Sequence, residues 1–397
     1  MGRLLRWARH AEAAWEVPRD LALRRYPPFV TGGPLPRGHV PVFCFHSLEP
    51  ESYGRKLEHL ARNGYVTLSA DEYFAFLAGR FEPPERAVVL TFDDGRSSLR
   101  TVGLPLMRRH GLKGIVFVIP GRTASRPGPL PPTLDDVPAG RTTVAELLAR
   151  EQGDDAFLSW EEMRDVQRSG LIDFASHSLS HARVHTAPRV ETFMHPGLRR
   201  GYGPLDAPWV RATGRDLFAD EIALGTPLLV SEPRLGDAPR FLEEPSLRSA
   251  CVALVASEGG EAFFERPDWE RRLRLIAGER PLRGVVESEA ERESAIRREL
   301  GASKALIEEH LGRPCLDLCY PWHVAGSAAR RAAREAGYRS AWCGKVPGVP
   351  ITTPGGDPQH IARIGEDYVE LLPGRGRARL ADVLRSKVTR RLQAARA

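Results

Sequence analysis

Val88-Val89-Leu90-Thr91-Phe92-Asp93-Asp94-Gly95 decides how this chain is read. An apolar, β-branched run stops abruptly at two carboxylates and a glycine. Such a run reads as a buried strand delivering Asp93 and Asp94 to its C-terminal edge, where the backbone turns. Open α/β sheets and barrels place their chemistry at that edge. Asp-Gly is also a common hairpin dipeptide, so the strand needs support from its neighbours.

That support comes from both sides. Upstream, Pro41–His46 reads as a first core strand, Tyr53–Asn63 as a helix with Leu57, Leu60 and Ala61 on one face, and Gly64–Leu68 as a short strand. Ser69 followed by Glu72 is a capping box for a helix through Leu77. Downstream come a helix through Leu106–His110, a buried strand Gly114–Ile119, and a Pro/Gly/Asp-rich stretch over 120–158. A helix Trp160–Ser169 then leads to a strand Leu171–Ser176. Strands alternating with helices across short joints predict a parallel α/β sheet or barrel.

The alternation stops from about His185 to Arg283 and resumes with a periodic helix. In that helix Ile296, Leu300, Ser303, Ile307 and Leu311 form one stripe and Gly312 is the stop. Strand Leu316–Tyr320, helix Ser327–Ala336, strand Tyr338–Trp342 and a last strand His360–Ile364 complete the pattern. The expected organisation is therefore a basic helical extension over 1–38, a barrel in two parts over 39–184 and 290–373, an insertion over 185–289, and a basic amphipathic tail over 374–397. Helical patterns around Leu247–Ala256 and Trp269–Ala277 make the insertion a helical cap in this reading.

With 397 residues, the chain has room for one elaborated barrel or two smaller domains. Hydrophobic content of 42% and charged content of 27% are those of a globular protein, and no apolar run reaches the roughly 18 residues of a membrane span. The first ten residues lack a secretory pattern, which predicts a cytoplasmic location. Five scattered cysteines without a Cys-x-x-Cys pair predict reduced thiols rather than a disulfide framework or a cysteine zinc site. The net charge of +6 is concentrated: residues 374–397 carry a local +7, leaving the remainder near neutral. A basic tail without an aromatic-interleaved patch excludes a nucleic-acid-binding face. Within the tail, Leu380, Leu384, Val388 and Leu392 share a stripe flanked by arginines and Lys387, a face suited either to peripheral contact with an anionic membrane or to docking on the chain's own barrel.

The chemistry gathers at strand ends. His177-Ser178-Leu179-Ser180-His181 follows the strand Leu171–Ser176, and imidazoles four residues apart converge if the second lies on a helical turn. Two imidazoles and a carboxylate make a common open zinc site. Asp94 can supply the carboxylate, because its strand ends at the same edge. His46, ending the first strand, reads as a core histidine with one hydrogen bond or as part of the pocket wall. A phosphatase of the Asp-x-Asp type does not fit two adjacent aspartates, one of which would leave the shared face.

Thr91-Phe92-Asp93-Asp94-Gly95 and His177-Ser178-Leu179-Ser180-His181 resemble the first two motifs of the polysaccharide deacetylase (NodB-homology, carbohydrate esterase family 4) domain. Weaker similarity runs through Leu158–Glu162, Tyr320-Pro321-Trp322 and Ala336–Ala341. The resemblance implies a distorted (β/α)7-type barrel, with the helical insertion, that removes acetyl groups from an N-acetylated sugar, polysaccharide or lipid-linked glycan precursor. It further implies Asp93 as general base, Asp94, His177 and His181 as ligands of a divalent metal, usually Zn2+, and the Trp322 backbone N–H as oxyanion donor. In that scheme the metal acidifies a water and polarises the amide carbonyl, and Asp93 takes the proton as the water attacks.

Two departures matter. Cys319 stands where the family often has an arginine that orients the base, and the late Leu-x-His motif that supplies the general acid is absent. Arg363 is the substitute expected for the first. His323 is the substitute expected for the second, with His360 next. The same departures favour an alternative, a catalytically silent module that binds glycan or scaffolds a partner.

Overall fold

The structure, a computed structural model, describes residues 19–20, 23, 25–153, 155–199, 203–208, 222–279 and 282–394. The expected helix of the N-terminal extension falls mostly outside these residues. Twelve described strands follow one another: β1 (Val42–Phe45), β2 (Val66–Thr67), β3 (Ala87–Phe92), β4 (Gly114–Val118), β5 (Ile172–Ser176), β6 (Arg183–Phe193), β7 (Pro227–Pro233), β8 (Phe241–Glu243), β9 (Gly284–Val286), β10 (Asp317–Cys319), β11 (Ser340–Trp342) and β12 (Ile364–Gly365).

The main sheet runs β11-β10-β5-β4-β3-β1-β12, with β2 beside β3. Every pairing in it is parallel. A parallel bridge between Trp342 and Ile361 joins β11 to the chain entering β12, so the curled sheet meets itself. The result is a distorted (β/α) barrel with seven strands on its path, as expected from the sequence. The last strand is shorter and later than the expected His360–Ile364, because pairing with β11 ends at Ile361 and pairing with β1 begins at Ile364.

Strand periodicity sorts side chains into two cores. Val42, Val89, Ile115, Phe117, Ala175, Cys319, Trp342 and Ile361 pack together inside the barrel, with Tyr73, Phe76 and Leu77 of helix Ala70–Leu77. Phe43, Val88, Leu90, Val116, Leu318 and Ile364 face outward under the helices. Both faces of these strands are buried, which is why they read as unbroken apolar runs. Helix Ala70–Leu77 starts at the anticipated Ser69–Glu72 capping box, each such cap contributing about 1 kcal/mol. Helix Glu289–Leu311 buries Ile296, Leu300, Ser303, Ile307 and Leu311, the anticipated stripe, and ends where Gly312 adopts φ 65°.

The insertion carries the two expected helices, Pro245–Ser257 and Trp269–Glu279. It also contains two antiparallel ribbons, β6–β7 and β8–β9, that the helical reading did not include. Pro188 and two register shifts interrupt the pairing of β6, which hides its alternation from a sequence pattern. Phe193, Leu247, Cys251, Val255, Phe263 and Leu273 form a separate small core there.

Of the expected stripe on tail helix Leu380–Ala394, Leu380 packs against the barrel's outer core. Val383 is buried in the barrel's outer core, Lys387 Nζ lies 3.1 Å from Asp367 and over the Tyr368 ring, and Val388 is exposed. The tail therefore docks on its own barrel, one of the two readings that the stripe allowed. Among the described residues no helix is long and apolar enough to cross a membrane.

Candidate active site

The motifs meet at the C-terminal ends of the barrel strands. Asp93 and Asp94 follow β3, His177 follows β5, Trp322 and His323 follow β10, and Arg363 lies between the bridge at Ile361 and β12. Period-2 alternation continues past the strand ends: Val89, Thr91 and Asp93 point inward, as do Ile361 and Arg363. Two elements far apart in sequence thereby bring a carboxylate and a guanidinium into the same buried layer.

Their contact is bidentate. Arg363 Nη1 donates to Asp93 Oδ1 at 2.7 Å and Nη2 to Asp93 Oδ2 at 2.8 Å, with both side chains almost fully buried. Nη1 also donates to Thr91 Oγ1 at 3.0 Å and Nε to the Cys343 carbonyl at 2.9 Å, which fixes the fork. Burial pushes the Asp93 carboxyl upward, but the guanidinium outweighs it and holds the group well below the usual carboxylate range. Cys319, at the position of the missing arginine, has its Sγ 2.8 Å from Arg363 Nη2 and 3.8 Å from Asp93 Oδ2. The smaller side chain leaves room for an arginine arriving from the other side of the barrel. Cys44 Sγ lies 3.3 Å from the same oxygen. Burial raises both thiols well above their ordinary value, so neither is a nucleophile. All five cysteines are buried.

Asp94 turns away from this pair because its backbone adopts φ 69°. Its Oδ1 lies 3.5 Å from His177 Nε2 and 3.7 Å from His181 Nε2. All three side chains are buried, and each offers a donor atom within 4.8 Å of the others. His177 Nδ1 lies 2.9 Å from the Cys319 carbonyl; as the donor there it leaves the Nε2 lone pair facing Asp94. His181 Nδ1 is buried without a hydrogen-bond partner in the structure. Burial, aided by His177, drives the His181 ring well below its ordinary value and keeps it neutral. Burial also raises Asp94. Two imidazoles and a carboxylate, converging on one point, are a donor set that fits a divalent cation.

The turn at Tyr320-Pro321-Trp322, the third motif, closes the group. His323 has one face exposed and its Nδ1 3.4 Å from Arg363 Nη2. Crowding by protein and the neighbouring guanidinium push its ring down to about 3, so it is neutral at ordinary pH. An arginine N–H can only donate, so His323 Nδ1 accepts and its proton resides on Nε2. The Trp322 ring packs 4.9 Å from His181, with the Arg183 guanidinium 5.1 Å from its centre. Asp94, Ser178, His181, Trp322 and His323 all hold positive φ, a conformation that non-glycine residues adopt at a cost and that clusters at functional sites. His46 is exposed rather than the core histidine expected. His360, the second substitute acid, pairs with Asp357 at 3.6 Å outside these clusters.

Glu299 was not anticipated. It accepts the Ser180 N–H at 3.1 Å and the Ser180 hydroxyl at 2.6 Å, bracing the loop between the two histidines. In the sequence it is one more polar residue of a long helix.

A polysaccharide deacetylase family model matches residues 81–194, which include both aspartates and both histidines. Over that segment the chain is similar to the polysaccharide deacetylase family. Over 134 residues, 34% of the chain, it is 30% identical to the poly-β-1,6-N-acetyl-D-glucosamine N-deacetylase of Escherichia coli, and the match spans 18% of that protein's length. It is 27% identical over 88 residues to the Bacillus subtilis protein YxkH, covering 32% of it. In three dimensions it resembles the BpsB deacetylase domain of Bordetella bronchiseptica with a TM-score of 0.50 at 18% identity, covering 84% of the chain and 98% of that domain. At that identity the likeness concerns the polysaccharide deacetylase fold.

Proposed function

We propose that the chain is a metal-dependent hydrolase that removes N-acetyl groups from an N-acetylated polysaccharide, releasing acetate and a free amine. The carrying observation is the side-by-side arrangement of the ionised, Arg363-clamped Asp93 and the Asp94–His177–His181 donor set. The polymeric substrate class rests on the activity named for the Escherichia coli relative.

Asp94, His177 and His181 would hold a divalent cation, zinc by its preference for imidazole and carboxylate, which when bound supplies Lewis acidity toward the amide oxygen and lowers the pKa of water. Asp93 is the proton acceptor, kept ionised by Arg363 and oriented through two bonds. The Trp322 N–H serves as donor to the developing oxyanion. His323, neutral and carrying its proton on Nε2, hydrogen-bonds the leaving side of the amide, while the proton taken by Asp93 returns to the departing amine. Arg363 answers the departure at Cys319 that favours the silent-module reading.

The test is elemental analysis of the purified wild type beside Asp94→Ala and His177→Ala, with acetate release from an N-acetylglucosamine oligosaccharide. About one divalent ion per chain, lost in both variants together with acetate release, is the expected result. A chain that binds no metal and releases no acetate ends the hydrolase reading in favour of the silent module.

A further inference from the structure

The helix Ser327–Glu335, which follows the third-motif turn, has no cap of its own: Gly326 stands at its N-cap. Its first amides are satisfied from the insertion. Asp237 Oδ2 accepts the Ala328 N–H at 2.8 Å and the Ser327 hydroxyl at 3.2 Å, and Oδ1 accepts the Ala329 N–H at 3.1 Å. A side chain at Gly326 would collide with that carboxylate, its Cβ falling 2.1 Å from Asp237 Cγ. The cap has therefore been moved from the helix to a residue about ninety positions earlier, and Asp237 holds φ 62° to supply it.

The loop carrying Asp237 is anchored on both sides. The Gly326 N–H donates to the Leu235 carbonyl at 2.7 Å, and Gly236 lies against Val324. The Arg234 N–H donates to Ala182 O at 2.9 Å, one residue after His181, and the Arg234 guanidinium is bound by Glu287 at the entrance to helix Glu289–Leu311. Arg183, whose guanidinium lies against the Trp322 ring, is itself held by Ser231 of β7. The root of the insertion thus joins the histidine motif to the third-motif turn.

We propose that Asp237 is a positioning residue for the site: through its cap on helix Ser327–Glu335 it sets the Trp322–His323 turn and couples that turn to the insertion. Its effect on turnover rests on the deacetylase reading. Trp322 and His323 adopt unfavourable positive φ, and the backbone of the turn is closed by single hydrogen bonds from His323 N–H to Tyr320 O and Val324 N–H to Pro321 O.

The experiment uses the zinc-loaded full chain and four proteins: wild type, Asp237→Gly, Asp237→Asn, and Asp237→Gly combined with Gly326→Ser. Glycine tolerates the positive φ, so the first variant removes the carboxylate without straining the backbone. Serine fits at residue 326 once the carboxylate is gone and caps the helix from within. Asp237→Gly is expected to lower kcat at least tenfold with KM changed less than about twofold, and to speed hydrogen exchange at the His323 and Val324 amides. Asp237→Asn restores most of both. The double variant recovers Tm but not kcat, because the helix is capped while the tether is missing. Two results overturn the proposal: unchanged exchange at His323 and Val324 in Asp237→Gly, or recovery of kcat together with Tm in the double variant. If the wild type releases no acetate, the deacetylase reading falls, and the exchange measurement alone decides the coupling.

Discussion

The barrel mouth and the insertion spend their interactions differently. Around the mouth, Asp93, Arg363 and His177 sit in close buried networks, and five motif residues hold strained backbone angles. Two continuous apolar cores beneath them over-determine the geometry. The insertion instead has two small cores of its own and reaches the barrel through Leu235 and through polar contacts at Asp237, Arg183 and Arg234. Strain is stored where the scaffold is rigid, and the attachment made of hydrogen bonds lies where a shift can alter the site without unfolding it.

The comparison breaks most visibly at the base. Asp93→Asn removes the proton acceptor while leaving the donor set of Asp94, His177 and His181 in place. Acetate release should fall about a thousandfold with metal content unchanged, measured by turnover beside elemental analysis. Metal loss in this variant would mean that the two clusters are not separate.

Arg363→Met should cost roughly 3–5 kcal/mol at neutral pH, because it leaves the Asp93 carboxylate buried without its partner. The sign with pH follows from the wild-type shift. Asp93 is depressed in the folded state, so its contribution is present above the unfolded carboxylate value of about 3.9 and is lost as pH falls through the lower folded value. In the variant burial dominates and raises that carboxyl. The stability gap between the two proteins should therefore be wide at pH 7 and narrow at pH 3, in urea titrations at both values. The variant should also gain an acidic limb in kcat/KM that the wild type lacks. A gap independent of pH would remove the ion pair from the explanation.

Core truncations sharpen the contrast further. Leu300→Ala, in the barrel core, should lower global stability by about 2–5 kcal/mol. Phe263→Ala, in the insertion, should speed amide exchange in Pro245–Ser257 and Trp269–Glu279 while the barrel strands keep their protection. Equal loss of protection in both regions would show that they unfold as one unit. The smallest effect is expected at the tail: Lys387→Ala, breaking a partly exposed pair with Asp367, should cost about 1 kcal/mol or less in thermal unfolding.

Much of the barrel was legible because its physics is local. Strands buried on both faces must be apolar throughout, and a helix lying on them must carry a stripe, so β3, β4 and the helix bearing Ile296, Leu300 and Ile307 could be read directly. The adjacency of Asp93 and Asp94 and the spacing of His177 and His181 likewise lie within single short segments. The insertion's ribbons were not legible, since β6 is interrupted at Pro188 and pairs with a strand more than thirty residues away. The tail's inward face was only partly legible for a related reason: a stripe defines a face, and only the barrel's shape selects Val383 and Lys387 over Val388.

By itself, then, the sequence determined which residues carry charge, lone pairs and apolar surface, and which strand ends they occupy. Arg363 was named as the substitute for the arginine missing at Cys319, but tertiary structure decided that it crosses the barrel to clamp Asp93, and it alone decided that Asp237 caps a helix ninety residues away. Both contacts join segments whose distance depends on closure of the sheet and the path of the insertion, and no local periodicity encodes either.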